Sequence, residues 1–283
     1  MTGGNGRTGG MGRTVILCLA LAMMLPASAA FAQRFLFGDG TGYEPSTHNL
    51  PYDGKFTFAR IKYTPCCDRM GYYYRGLPGW AHGYVPMGGR ASTSAEANLM
   101  KIMDEISYLR PHTDGTNVFA FDDPQLTHYP VSFLVEPGFW QLNDKELVGF
   151  RNYLQKGGFL IVDDFRHDGD PRAGLGWANL ESNVRRAFPW AQLLPMNPSM
   201  VVFDSFFKIE SFDVIPQDYD RERPEFFGLF ENNDPNKRLM MIVNYSTDVS
   251  NFWEFSATGL RPIEDSNQAY KLGVNYIMYG MTH

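Results

Sequence analysis

The stretch VDDFRHDGD, Val162 to Asp170, sets two carboxylates side by side and adds an imidazole and two further aspartates. Paired carboxylates in one cleft raise one another's pKa, so one can keep a proton while the other accepts one, as acid–base hydrolysis requires. Gathered carboxylates can also hold a hard cation. An exposed strand end needs neither reason, because Asp is a good turn former. Asp168-Gly169-Asp170 lacks the ligand register of a calcium loop. His167, Asp168 and Asp170 are therefore expected to be ordinary loop residues, while Asp163 and Asp164 remain candidates. Neighbours on a strand point to opposite faces, so at most one of the two joins a given pocket.

The elements around this stretch decide where it lies. Asn117 to Phe121, Val131 to Val135 and FLIVDDF, Phe159 to Phe165, are short continuous apolar runs, as expected for strands buried on both faces. FTFARIKY, Phe56 to Tyr63, reads as a further strand, and Leu239 to Asn244, Phe226 to Phe230 and Met200 to Phe203 as more, the last two at an edge or in a hairpin. Thr93 with Glu96 predicts a capped helix start followed by apolar residues from Leu99 to Leu109 at helical spacing. Asn143 with Glu146 opens a second helix that Gly157-Gly158 closes. Asn179 to Phe188 is a third, and Ser266 is read as the cap of a last one.

Strand, helix, strand alternation requires a mainly parallel sheet with right-handed crossovers, in a three-layer α/β sandwich. In such a sheet, ligands sit at the carboxyl ends of the strands. Those ends are Tyr63, Asp122 with Asp123, Glu136, Asp163 with Asp164, and Asn244 followed by Asp248.

The first 32 residues read as a cleaved export signal: Arg7 and Arg13, an apolar run from Val15 to Leu25, then Ala30-Phe31-Ala32. The expectation is a single α/β domain over 33–283, with no membrane span after cleavage and a periplasmic or secreted location. Of the 25 basic residues two fall in the leader, so 23 face 31 acidic ones in the remainder, a net charge of −8. That balance recruits no nucleic acid.

Residues 64–92 form a Tyr- and Gly-rich insertion without periodicity, a composition suited to recognition. It begins near Cys66-Cys67. Adjacent cysteines can close a ring, bridge two chains, stay reduced or bind a soft metal, and the oxidised pair is the expectation outside the cytoplasm. There is no G-x-S-x-G elbow, phosphate loop or H-E-x-x-H, and Gly38 to Gly42 is followed by Pro45 where a dinucleotide-binding helix would open.

Several motifs in order resemble the family called domain of unknown function 4159. They are F-x-F-x-R-x-x-Y at Phe56 to Tyr63, S-A-E-A-N-L at Ser94 to Leu99, Tyr129-Pro130, the run through Phe150, Tyr153, Leu154, Gly157 to Leu160 and Asp163 to Phe165, and G-V-N-x-x-M-Y at Gly273 to Tyr279. That family is similar in turn to the class I glutamine-amidotransferase-like, flavodoxin-like fold, whose active members carry a nucleophilic cysteine at the elbow after the glycine pair. Here Asp163-Asp164 stand there, and thioester chemistry cannot run without the thiol.

The leading expectation is a non-catalytic envelope domain that binds a partner protein or glycan, with Tyr63, Tyr72, Tyr73, Trp80, His82 and Asn244 as contacts. The alternative is a hydrolase, with glycans as candidate substrates, in which Asp163 or Asp164 works with Glu136 or Asp122. No cofactor and no metal is expected.

Overall fold

The computed structural model describes residues 1, 45, 47–67, 76–84, 95–218 and 222–283. Residues 2–32, read from sequence as a leader, together with Gly38 to Gly42, Tyr72, Tyr73 and the Thr93 cap, lie outside the described residues. In chain order the elements are β1 (Ala59–Ile61), β2 (Thr64–Pro65), α1 (Ala95–Ile106), β3 (Asn117–Phe119), β4 (Val131–Val135), β5 (Trp140–Gln141) and α2 (Asp144–Gln155). They continue with β6 (Phe159–Phe165), α3 (Gly176–Ala187), β7 (Leu194–Pro195), β8 (Glu225–Phe230), β9 (Leu239–Tyr245), α4 (Val249–Glu254) and α5 (Ile263–Thr282).

Seven strands form one sheet in the order β3-β1-β4-β6-β9-β8-β7, and β2 pairs with β5 apart from it. β3, β1, β4, β6 and β9 run parallel, while β8 and β7 turn antiparallel at one edge. Counting only the parallel strands, the second chain segment lies beside the first and the third beside its other edge. This is the flavodoxin-like order, and the direction in which successive strands are added switches between β1 and β4, the point at which such sheets bind ligands at their carboxyl ends.

Helices cover both faces, giving the three-layer α/β sandwich. On one face Phe150, Tyr153 and Leu154 of α2 and Leu180, Val184 and Ala187 of α3 pack on Leu134, Leu160 and Val162. On the other, Leu99 and Met103 of α1, Trp253 of α4 and Leu272, Tyr276 and Ile277 of α5 pack on Phe133, Phe159 and Ile161. The apolar residues of each central strand therefore divide between two cores, which is why these runs lack polar alternation. Asn143 caps α2 as its sequence predicts: its side chain accepts from the amides of Lys145 and Glu146, and Glu146 reaches back to the Asn143 amide. Gly157, at φ 109°, then turns the chain into β6.

The differences from the sequence reading have local causes. Met200 to Phe203 is not a strand but a 3-10 turn, Val201–Asp204, since an apolar run of four residues does not distinguish the two. Ser266 caps nothing, because α5 begins at Ile263 after Pro262, whose fixed φ suits a helix entry. Ser266 is buried inside that helix. The third helix starts a turn earlier than Asn179, and the FTFARIKY run is strand only over Ala59–Ile61. No helix among the described residues is long and apolar enough to cross a membrane.

Candidate functional site

Two neighbouring strands end in acids that leave the extended conformation. Glu136 follows β4 with φ 53° and ψ 55°, and Asp164, near the end of β6, has φ 53°. Such left-handed backbone is uncommon for residues with a Cβ and concentrates at functional positions. At Asp164 it breaks the strand's alternation. Leu160 and Val162 face one core and Phe159 and Ile161 the other, yet Phe165 lies with Leu160 and Val162. The β6–β9 register shifts over the same residues.

Consequently the adjacent aspartates have different surroundings. Asp163 faces the start of α4, where its Oδ1 accepts from Asn244 Nδ2 at 2.9 Å and the Val249 amide at 3.2 Å, and its Oδ2 from the Ser250 amide at 2.8 Å. Burial nonetheless pushes its carboxyl up to about 6 against these donors. Asp164, fully buried, pairs with His82 Nδ1.

His82 comes from the segment between β2 and α1, at the switch point. Burial opposes its charge, but the Asp164 carboxylate overrides this and raises the imidazole to about 10. Glu136 is buried and held well above its ordinary range, first by desolvation and then by Asp164. Its Oε1 has no hydrogen-bond partner among the described residues. Asp248 caps α4 through the Asn251 amide, and burial followed by repulsion from Asp164 raises it also. One ligand atom from each of His82, Glu136 and Asp164 lies within 4.8 Å of the others. The three could share protons or hold a cation.

A buried frame sets this geometry. Tyr63 Oη donates to the carbonyls of Val135 and Glu136, both 2.9 Å away, and burial keeps that hydroxyl protonated. Arg60, inside β1, bonds to Glu96 of α1 and through Nη1 to the carbonyls of Trp80 and His82. Cys66 and Cys67 form a disulfide between neighbours, and the Cys66 amide donates to Phe139 at 2.8 Å, in the turn that follows Glu136.

The structure redistributes the predicted roles. Tyr63 and Trp80 are buried struts, at 4% and 1% exposure, so neither offers a ring face for a ligand to stack on. Asn244 is buried between Asp163 and the Tyr276 hydroxyl, 2.9 Å from its Oδ1. Asp122 is exposed in a separate depression with Lys145, Val148 and Asn152, outside the group that Glu136, Asp164 and His82 form. Asp170 is occupied by Arg172 and Arg166 and Asp168 by the Trp177 amide, the loop roles expected of them. Arg60 was missed as a site element. Its signal was a lone charge within an apolar strand run, which demands a buried partner.

A family model described as Domain of unknown function (DUF4159) matches residues 83–281, most of the chain. The F-x-F-x-R-x-x-Y strand lies before the matched span. No curated protein matches the chain.

Proposed function

The chain belongs to this family of unknown function, and from that premise we propose that it is an exported cell-envelope domain that binds a small polar or cationic ligand in the elbow crevice. Residues 1–32 are its cleaved leader, 33–283 a single domain with an insertion at 64–92, and its location periplasmic or secreted. The observation that carries the binding role is the convergence of ligand atoms of Glu136, Asp164 and His82 within 4.8 Å of one another, with two of these residues on left-handed strand ends. Two further observations favour a small ligand. The acids are almost wholly buried, and the aromatic residues expected to contact a glycan, Tyr63 and Trp80, are spent on packing. The elbow carries a carboxylate where glutaminase chemistry needs a thiol.

A second reading has one observation in its favour. Glu136 and Asp164 are close enough to act as the acid and base of a hydrolase. Thermal melting of the exported chain with fractionated envelope extract separates the two readings. The binding role predicts stabilisation by a low-molecular-weight fraction that Asp164→Asn abolishes, with no turnover of chromogenic glycosides or esters. Turnover lost in Asp164→Asn would transfer the site to the hydrolase. Intact mass of the recovered protein tests export, with Gln33 expected as the first residue.

A further inference from the structure

We infer that His82, Glu136 and Asp164 form a site for one divalent transition-metal cation, a step that rests on reading the elbow crevice as the ligand site. The donor set is one imidazole nitrogen and two carboxylates, a combination suited to zinc, manganese or ferrous iron. Donor atoms about 2.1 Å from a common ion stand roughly 3–4 Å apart. Closing from the present limit of 4.8 Å is a side-chain adjustment, not a rearrangement. Three protein ligands leave at least one coordination position for water or a further ligand.

A second observation points to an ion independently of that clustering. Glu136 is 2% exposed, and its Oε1 is buried without a hydrogen-bond partner among the described residues. Most buried side-chain polar atoms are hydrogen-bonded, and Glu96 Oε2, the other such carboxylate oxygen among the described residues, belongs to the carboxylate paired with Arg60. The chain holds Glu136 in left-handed backbone, with Tyr63 bonded to its carbonyl, and no group among the described residues bonds its Oε1.

The surrounding charges agree. Asp163 adjoins Asp164, and Asp163, Asp248 and Glu254 are all buried, while the buried cation Arg60 is already paired with Glu96. An excess of buried acids must hold protons or a cation. Carboxylates and imidazole bind a metal in their deprotonated forms, so binding is expected to release protons to solvent. The outer frame of Tyr63 and Arg60 fixes the ligand-bearing backbone, as partners beyond the ligands do in built metal sites.

The test uses the untagged chain, expressed with residues 1–32 present, stripped with a chelator and dialysed against Zn²⁺ or, separately, Mn²⁺ under non-reducing conditions. Elemental analysis is expected to give about one equivalent of metal. Titration in weak buffer with an indicator dye should show proton release. Glu136→Gln, close in shape to the protonated acid, should remain folded by circular dichroism yet bind at least about tenfold more weakly. Asp122→Asn, in the separate depression with Lys145 and Asn152, should bind as the parent does. Substoichiometric metal in the parent chain, or equal affinity in Glu136→Gln, overturns the inference. If no metal binds while the small envelope fraction still stabilises the protein in an Asp164-dependent way, the cation falls and the binding role stands. If neither occurs, both fall.

Discussion

Arg60 carries more of this structure than its place in a three-residue strand suggests, and removing it tests how the site is held. The guanidinium and its partner Glu96 are both fully buried. Nη1 donates to Trp80 O at 2.8 Å and also to His82 O, and the guanidinium lies 5.1 Å from the centre of the Phe133 ring. Arg60→Met keeps much of the aliphatic volume but leaves Glu96 buried without its cation. Breaking one side of a buried pair costs about 3–5 kcal/mol. The loss of two carbonyl partners adds to that, so a cost near the upper end is expected in urea denaturation. Arg60→Met/Glu96→Leu removes both charges, and such paired replacement is often close to neutral. The double variant should therefore recover to within about 2 kcal/mol of the parent. It should not recover ligand or metal binding, because the carbonyls of residues 80 and 82 remain unclamped and His82 loses its placement. A single-variant cost below about 1 kcal/mol would refute the reasoning, since exposed pairs already reach that range. So would a double variant that binds as the parent does.

Stability should fall as pH rises from about 4 to about 6. Asp163 titrates near 6 in the fold against 3.8 ordinarily, so the native chain holds that proton more tightly. Its contribution is full below the unfolded value and lost through the folded one, on the order of 3 kcal/mol. Urea midpoints that rise across this interval would contradict the burial of the acid cluster, in which Glu136 and Asp248 shift the same way. Gly149→Ala should cost about 2 kcal/mol or more, because a Cβ there would stand 1.9 Å from Phe121 O. At Gly157 nothing lies within 4 Å, so Gly157→Ala should cost only the strain of positive φ, about 1 kcal/mol. Thermal melting of the two variants ranks them. Cys66→Ser/Cys67→Ser should change global stability by less than about 1 kcal/mol, because a bond between neighbours closes almost no loop. It should nevertheless speed limited proteolysis near residues 137–141, where β2 and the Cys66 amide hold the turn.

The parts of the fold that could be read from sequence are those in which local signals and burial agree. Asn143 with Glu146 announces α2 because both side chains satisfy backbone amides at the helix start, whatever surrounds them. FLIVDDF is legible because a strand covered by helices on both sides needs apolar residues on both, and Phe159–Phe165 is wholly buried. The two-residue strands β2, β5 and β7 carry no such signal, since pairing partners remote in sequence create them. Met200 to Phe203 misled for the related reason that four apolar residues satisfy either period.

The site divides along the same line. Strand ends are local facts, so Glu136, Asp163 and Asp164 could be placed at the crevice from apolar runs alone. That His82 meets them could not be, because it reaches the elbow through an aperiodic segment anchored by Arg60, and the anchoring residues are 22 positions apart. Nor does residue type reveal the left-handed turn at Asp164. Ordinary strand geometry would send residue 165 to the face it shares with Phe159 and Ile161. The observed backbone instead sends the Phe165 ring to the opposite core, beside Trp177 at 6.0 Å and Tyr245 at 5.0 Å. That aromatic packing compensates the strain and keeps the Asp164 carboxylate against His82. If Phe165→Ala left both the His82–Asp164 pair and ligand affinity intact, the link between core packing and site geometry would be broken. The expected result is a protein destabilised by about 3–5 kcal/mol whose remaining folded fraction binds measurably more weakly.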